Sequence, residues 1–330
     1  MKIKIIGAGA LGMMVAARLF LAGQKVELVT RSFEQAEEID RLGLILTEKG
    51  PDGLDINQLL HIPAYTFEEL GPRTESDRSP GIAVEPTYLW LMLKQTAITD
   101  LLAQQLAKQL TPPSTHLVCF QNGIGHIEVL RRYIPMEQIW SAVTTEGAFK
   151  SSPRHVKHTG KGTTWLGSHY GSSISQDDVH IGNILHNLLI DAGFSALMSN
   201  NINSKVWDKL LINAVINPLT AILQLRNGLL PDLPALLPLM RTLYEEGSML
   251  AEQLGIQLSA DLWEQIGIVC TRTADNESSM LQDIKAGRLT EIEAITGGLL
   301  REAQQIALPL PTHAALYYMI RSIEQQWEII

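Results

Sequence analysis

Lys209, Asn213 and Asn217 stand four residues apart in the segment KVWDKLLINAVINPLTAIL (205–223). At helical pitch, side chains four apart share one face. Val206, Leu210, Leu211, Ala214, Val215 and Ile216 fill the other directions. A helix apolar almost all round belongs in a core, where an ammonium and two amides are costly unless paired. Two readings account for the stripe. It lines a cleft that holds a small polar molecule, or it is a structural network in which the asparagines cap a neighbouring element and Lys209 pairs with a carboxylate such as Asp208. In the first reading the ammonium polarises and protonates a developing oxyanion, and partial desolvation brings its pKa towards working pH. Lys205, one turn earlier, competes for that role, although its place near the helix start predicts a solvated side chain. Asn213 and Asn217 offer donors and acceptors that suit a neutral hydroxyl. Pro218 deprives the Ala214 carbonyl of its usual partner, so a kink is expected there.

A second constellation lies at the N-terminus. Gly7, Ala8, Gly9, Ala10, Leu11 and Gly12 form GAGALG, a G-x-G-x-x-G loop between a strand pattern (Lys2–Ile6) and a helical pattern through Leu11, Val15, Leu19 and Leu21, with a second strand at Lys25–Thr30. The first glycine permits the tight turn, the second lets the backbone approach a pyrophosphate, and the third allows close helix–strand packing. Phosphate charge then meets a helix N-terminus. An NAD site usually ends its second strand in Asp or Glu for the ribose 2′-hydroxyl. This chain has Thr30, Arg31 and Ser32, with Glu27 too early in the strand. Arg31 suits a 2′-phosphate through charge-assisted bonds, which favours NADP over NAD; a solvated loop arginine is the alternative.

The elements that must position these groups follow from length and pattern. At 330 residues, 45% of them hydrophobic, the chain is long enough for two domains. A net charge of −9 argues against nucleic-acid partners. Cys119 and Cys270 lie far apart in apolar runs and read as buried thiols rather than a disulfide. His126, His155, His158 and His169 lack the spacing of a metal site, so no metal is expected. The apolar N-terminal run is broken by Gly7, Gly9 and Gly12 and closed by Arg18 before a spanning length, so a cytoplasmic location without a membrane partner is expected.

Further strands are expected at 43–46, 88–93, 116–120, 139–144, 156–158 and 163–166, with helices at 96–110 and 181–192. The polar stretch 67–86 reads as a surface excursion. From Asn201 the pattern is almost wholly helical, with breaks at 228–234, 255 and 308–311. The fold class is therefore α/β: a Rossmann-type dinucleotide-binding domain over 1–200, then an all-α substrate and catalytic domain over 201–330.

With these two halves together the chain resembles the ketopantoate reductase family nearly end to end. The marks are GAGALG, the strand-end lysine of LMLKQT (Lys94), QNGIG (121–125), WDKLLINAVINPLTA (207–221), RNG (226–228) and NESSMLQDIKAGRLTEIE (276–293). The resemblance implies NADPH as cofactor and reduction of a small 2-oxo acid, 2-dehydropantoate, to pantoate on the way to pantothenate and coenzyme A. It assigns Lys94, Asn122 and the backbone of Ala148 to the cofactor and makes Lys209 the proton donor. Substrate contacts fall to Lys209, Asn213, Asn217, Asn227, Asn276 and Ser279, while Glu291 binds the cofactor or orders the site. Glu146 departs from the pattern, standing where an uncharged residue is more usual.

Some of these residues also carry local readings. Asn276 and Ser279 are three apart on an expected helix, so they share a face and are candidates for the substrate carboxylate; alternatively Asn276 and Ser278 make local helix-start bonds. Thr290 and Glu293 fit a capping box, with Glu291 complementing the helix dipole. Only the resemblance draws Glu291 into the site. Two rivals stand beside ketopantoate reduction: the same fold acting on another 2-oxo or 3-hydroxy acid, and a non-catalytic NADP-binding regulator. A homodimer is the assembly to test.

Overall fold

Lys2–Ile6 (β1) is buried from Ile3 onward, Lys4 included. Near-continuous burial of this kind marks a strand in a parallel sheet covered on both faces. The computed structural model describes residues 1–70, 87–110, 115–169 and 176–329, and the expected excursion over 67–86 falls largely outside them. The chain divides into two compact units, 1–121 with 126–202, and 122–125 with 203–330.

In the first unit, β1 is followed by α1 (Ala10–Leu21), β2 (Lys25–Thr30), α2 (Phe33–Leu42), β3 (Leu44–Lys49), β4 (Asp55–Leu60) and β5 (Ala64–Thr66). Next come β6 (Thr87–Leu91), α3 (Asp100–Gln109), β7 (His116–Cys119), α4 (His126–Leu130) and β8 (Ile139–Thr144). The unit ends with β9 (Gly147–Ser152), β10 (His155–Gly160), β11 (Thr163–Ser168), α5 (Gln176–Asp191) and β12 (Ser195–Met198). Among the described residues, one sheet has eight strands in the order β12-β11-β8-β7-β6-β1-β2-β5. β1 pairs in parallel with β2 on one side and β6 on the other. The strand order thus reverses at β1, and beyond the C-terminal ends of strands at such a point open α/β sheets bind their ligands.

The strands at 43–46 and 156–158 exist, but they do not join that sheet. As β3 and β10 they build a second, four-stranded sheet ordered β4-β3-β10-β9. Its inner side meets α1, where Arg18 Nε donates to Glu48 Oε1 at 2.8 Å. The expected helix at 96–110 is also divided. A 3-10 turn (Gln95–Ala97) precedes α3, because Thr99 accepts from the Leu102 N–H and restarts the helix as its N-cap.

The second unit carries α6 (Ile202–Leu223), α7 (Leu237–Gln253), α8 (Leu262–Arg272), α9 (Ser279–Lys285), α10 (Thr296–Gln305) and α11 (Pro311–Ile329). α6 stays helical through Pro218. Its Trp207, Leu210, Leu211 and Ala214 share one core with Leu250, Leu262, Leu299 and Ile320. Val215, Ile216 and Leu219 share another with Leu243, Ile266 and Leu316. α6 is long and apolar enough to cross a bilayer, yet 67% of its most apolar window is buried within the protein, as befits a core helix. The segment 122–125 belongs to this unit through Ile124, whose N–H donates to Ala294 O at 3.1 Å. Gly123 is required there: its φ is +81°, and a Cβ would lie 2.3 Å from Ala294 O. Cys119 and Cys270 are buried free thiols.

Candidate active-site residues in the two units

The glycine loop shows why each glycine is where it is. Gly7 has φ +121°, and a Cβ on it would sit 2.7 Å from the Met92 backbone. A Cβ on Gly12 would fall 1.9 Å from Gly7 O, so α1 starts hard against the end of β1. Gly9 differs: nothing lies within 4 Å of its would-be Cβ. Gly9 is exposed and is the N-cap of α1, whose first turn, containing Ala10 and Leu11, holds no acidic residue. Open backbone beside an uncapped helix N-terminus is a cradle for phosphate oxygens, and the loop fits a dinucleotide.

The residues around the loop are braced by side-chain amides not singled out in the sequence. Gln35 Nε2 donates to Ala8 O at 3.0 Å and to Pro153 O at 2.7 Å. Gln121 Nε2 donates to Leu91 O at 2.8 Å and Leu93 O at 3.1 Å, fixing the turn that presents the exposed Lys94. Arg31 is exposed at the end of β2, next to Ser32, which caps α2. Thr30 Oγ1 donates to Ser32 O at 2.8 Å, so the Thr30 hydroxyl serves the turn rather than a ligand. Glu27 Oε2 accepts from Tyr65 Oη at 2.6 Å, with Lys2 Nζ 2.5 Å from its other oxygen, well occupied away from the strand end. Ala148 lies on β9, an edge strand of the second sheet. Glu146, the departure from the family pattern, is buried with His158 Nε2 2.7 Å from its Oε2.

In the second unit, α6 presents Lys209 and Asn213 partly buried and Asn217 only 6% exposed. Burial pulls the Lys209 pKa down from 10.5 to about 8, and the nearby charge of Glu291 works in the opposite direction. Asp208 is not its counter-ion. Asp208 Oδ2 takes Lys205 Nζ at 3.1 Å and Ser259 Oγ at 2.6 Å, while Oδ1 accepts the Ser259 N–H at 2.9 Å. The structural reading of the stripe thereby loses its carboxylate, and Lys205 is committed elsewhere. Asn213 and Asn217 have no side-chain hydrogen-bond partner among the described residues, which leaves the buried Asn217 amide fit for a ligand.

Glu291 joins the site through Asn122, whose Nδ2 donates to Glu291 Oε2 at 3.1 Å. The capping-box expectation fails here. α10 starts at Thr296, and Thr290 turns instead to Glu324 Oε1, donating from N and Oγ1 at 2.7 Å each. Glu293 is held by Arg301 and by the Tyr317 hydroxyl.

Asn276 and Ser279 do not share a helix face. α9 begins at Ser279 with Ser278 as its N-cap, so Asn276 precedes the helix. Its N–H donates to Thr273 O at 2.9 Å, and its carbonyl accepts the Asn227 N–H at 3.0 Å. Asn227 is 7% exposed, and its Nδ2 donates to Thr273 Oγ1 at 2.9 Å. Thr220, three residues beyond Asn217, places its Oγ1 2.7 Å from Ser278 Oγ. Backbone and hydroxyl links thus gather Asn227, Asn276 and the start of α9 beside the C-terminal half of α6.

Comparison with known proteins adds to this geometry. Residues 3–171 match the family described as "Ketopantoate reductase PanE/ApbA", and residues 201–324 match its C-terminal counterpart. A 2-dehydropantoate 2-reductase of Bacillus subtilis is 32% identical over 329 residues, covering 98% of both chains. One from Archaeoglobus fulgidus is 29% identical over 324 residues, again covering 98% of each. Among solved structures, a probable 2-dehydropantoate 2-reductase of Bacillus subtilis aligns with TM-score 0.74 at 29% identity, covering 98% of this chain and 100% of that one. D-Mandelate dehydrogenase, solved with NADH and anilino(oxo)acetate, shares the fold with TM-score 0.84 at 24% identity, covering 99% and 100%.

Proposed function

The chain belongs to the ketopantoate reductase family, and from that premise we propose that it reduces the ketone of 2-dehydropantoate to pantoate with NADPH, a step that supplies pantothenate and coenzyme A. Residues 1–200 serve as the NADP-binding domain and 201–330 as the substrate and catalytic domain, acting in the cytoplasm, with a homodimer as the expected assembly. The observation that carries the reading is Lys209: a lysine whose pKa is drawn to about 8, on one helix face with two amides that lack protein partners.

Bound NADPH supplies hydride to the carbonyl carbon. Gly7–Gly12 and the α1 N-terminus take its pyrophosphate, Arg31 its 2′-phosphate, and Lys94, Asn122 and the Ala148 backbone its remaining contacts. Lys209 polarises the ketone oxygen and delivers a proton to it, ending as a neutral amine that regains its proton from solvent. Glu291, held by Asn122, opposes part of the desolvation and keeps Lys209 protonated at neutral pH. Asn213 and Asn217 bond the substrate hydroxyl, and Asn276 and Ser279 its carboxylate, with Asn227 fixing the turn that carries Asn276.

The test uses a substrate pair. 2-Oxo-3,3-dimethylbutanoate lacks only the hydroxyl of 2-dehydropantoate, and a site built to bond a hydroxyl discriminates strongly against its absence. NADPH oxidation should show 2-dehydropantoate favoured in kcat/KM by at least roughly tenfold, with Asn217→Ala shrinking the gap. Equal treatment of the two acids would replace this assignment with a broader 2-oxo acid reductase. No oxidation with any 2-oxo acid would leave a non-catalytic NADP-binding protein.

A further inference from the structure

Lys150 occupies a position that its strand alone does not explain. It lies on β9 opposite Val156, which is fully buried, so it points to the inner side of the second sheet together with Ala148, while Phe149 between them is exposed. Its ammonium donates to Ala8 O at 3.2 Å. That same carbonyl accepts from Gln35, which also reaches Pro153 O in the β9–β10 turn. Three segments therefore meet at the residue between Gly7 and Gly9: the inner side of β9, the start of α2 just beyond Arg31, and the glycine loop.

Bracing a carbonyl needs only a neutral donor, and Gln35 already provides one. A lysine brings in addition a full positive charge, set beside the N-terminus of α1, the positive end of the helix dipole. The first turn of α1 has no acidic residue to offset it. Two positive features at one point, one of them a partly buried ammonium, are unfavourable unless an anion joins them. A pyrophosphate on the open backbone at Gly9 satisfies both at once.

The geometry points to Lys150 as a further phosphate-binding residue, its ammonium set against the pyrophosphate of the dinucleotide, with Arg31 serving the 2′-phosphate. The strand supports this division. Ala148 and Lys150 share one face and are about 7 Å apart along β9 at the rise of an extended chain, so one strand contacts the cofactor at two successive points. The inference rests on the NADPH reading above and adds a residue to it.

Binding titrations of the full chain with two partial ligands test it without turnover. ADP-ribose carries the pyrophosphate but no 2′-phosphate; 2′-AMP carries the 2′-phosphate but no pyrophosphate. Lys150→Gln should weaken ADP-ribose roughly tenfold and leave 2′-AMP within about twofold, while Arg31→Ala should do the reverse. Lys150→Arg, which keeps the charge, should hold ADP-ribose within about threefold of the wild type. If Lys150→Gln leaves ADP-ribose unchanged, or weakens both probes alike as simple loop bracing would, the assignment is overturned. Thermal unfolding of each variant identifies a folding failure, in which case Lys150→Met and Lys150→Arg decide the same question. A wild type that binds NADPH but shows no Lys150 dependence sinks this inference alone; one that binds none of the three ligands sinks the cofactor reading beneath it.

Discussion

The glycine loop of the first unit and the polar face of α6 in the second prepare for a ligand by opposite means. The loop works with backbone: two of its glycines are there because a single carbon would collide with main chain, the third because the space above it is open. α6 works with side chains, holding an ammonium and two amides on a helix whose other directions are core. A backbone site tolerates almost any neighbour but no added Cβ. A side-chain site tolerates shape changes but carries a standing cost in desolvated polar groups, and that cost is part of its function.

The largest effect expected on the α6 side comes from Lys209→Ala, which should lower turnover roughly 10²–10⁴-fold, the usual range for a positioned general acid. NADPH affinity measured by fluorescence titration should hold within about twofold, since nothing in the loop changes. In the wild type the acid must be protonated, so kcat/KM should fall as pH rises through about 8. A folded, near fully active Lys209→Ala enzyme would remove the contrast between the two regions.

The loop should show its sensitivity in stability. Gly7→Ala and Gly12→Ala each press a Cβ into main-chain atoms and should cost about 2–4 kcal/mol in denaturant unfolding. Gly9→Ala should leave stability within about 0.5 kcal/mol while weakening NADPH roughly tenfold, because the added carbon stands where the phosphate approaches. Three equal losses would mean that the glycines are structural alone.

Lys209→Met should stabilise the fold by about 1–2 kcal/mol at pH 7, a discounted share of the shift because the lysine is only partly buried. The folded-state pKa of about 8 lies below the ordinary 10.5, so the charged lysine costs stability below pH 8, and the cost fades as pH climbs from 8 to 10.5. The advantage of the variant should shrink over that window; urea titrations at pH 7 and 10 would measure it. The smallest effect is a matter of position on the pH axis. Glu291→Gln removes the charge that lifts Lys209, so the alkaline limb of kcat/KM should move to lower pH; an unmoved limb would place Glu291 outside the proton chemistry.

Features set by short-range rules were legible in the sequence. The glycine roles, β1 and the polar face of α6 depend on neighbours within a turn or a strand. Long-range competition hid the rest. β4 faces solvent along most of its length and lacks the apolar alternation that announces a strand, so the second sheet was not foreseen. The Thr290 box fits its spacing, but Glu324, distant in sequence, takes both donors of Thr290 first. Asn276 and Ser279 have helical spacing, yet Ser278 caps α9 between them and leaves Asn276 outside. The Asn122–Glu291 bond spans 169 residues and no local pattern could announce it.

The placement of 122–125 in the second unit has a consequence for synthesis. Those four residues leave the ribosome with the sheet strands around them, but Ala294 and Glu291, to which they bond, follow much later. At about 5–20 residues per second the gap of 169 residues lasts roughly ten to thirty seconds. Throughout that interval a glycine at positive φ and an asparagine must wait unclaimed in a nascent chain whose neighbouring strands are already able to pair. A gene cut at residue 202 would strand them permanently, so the two halves of this protein are not separable modules even though each has its own core.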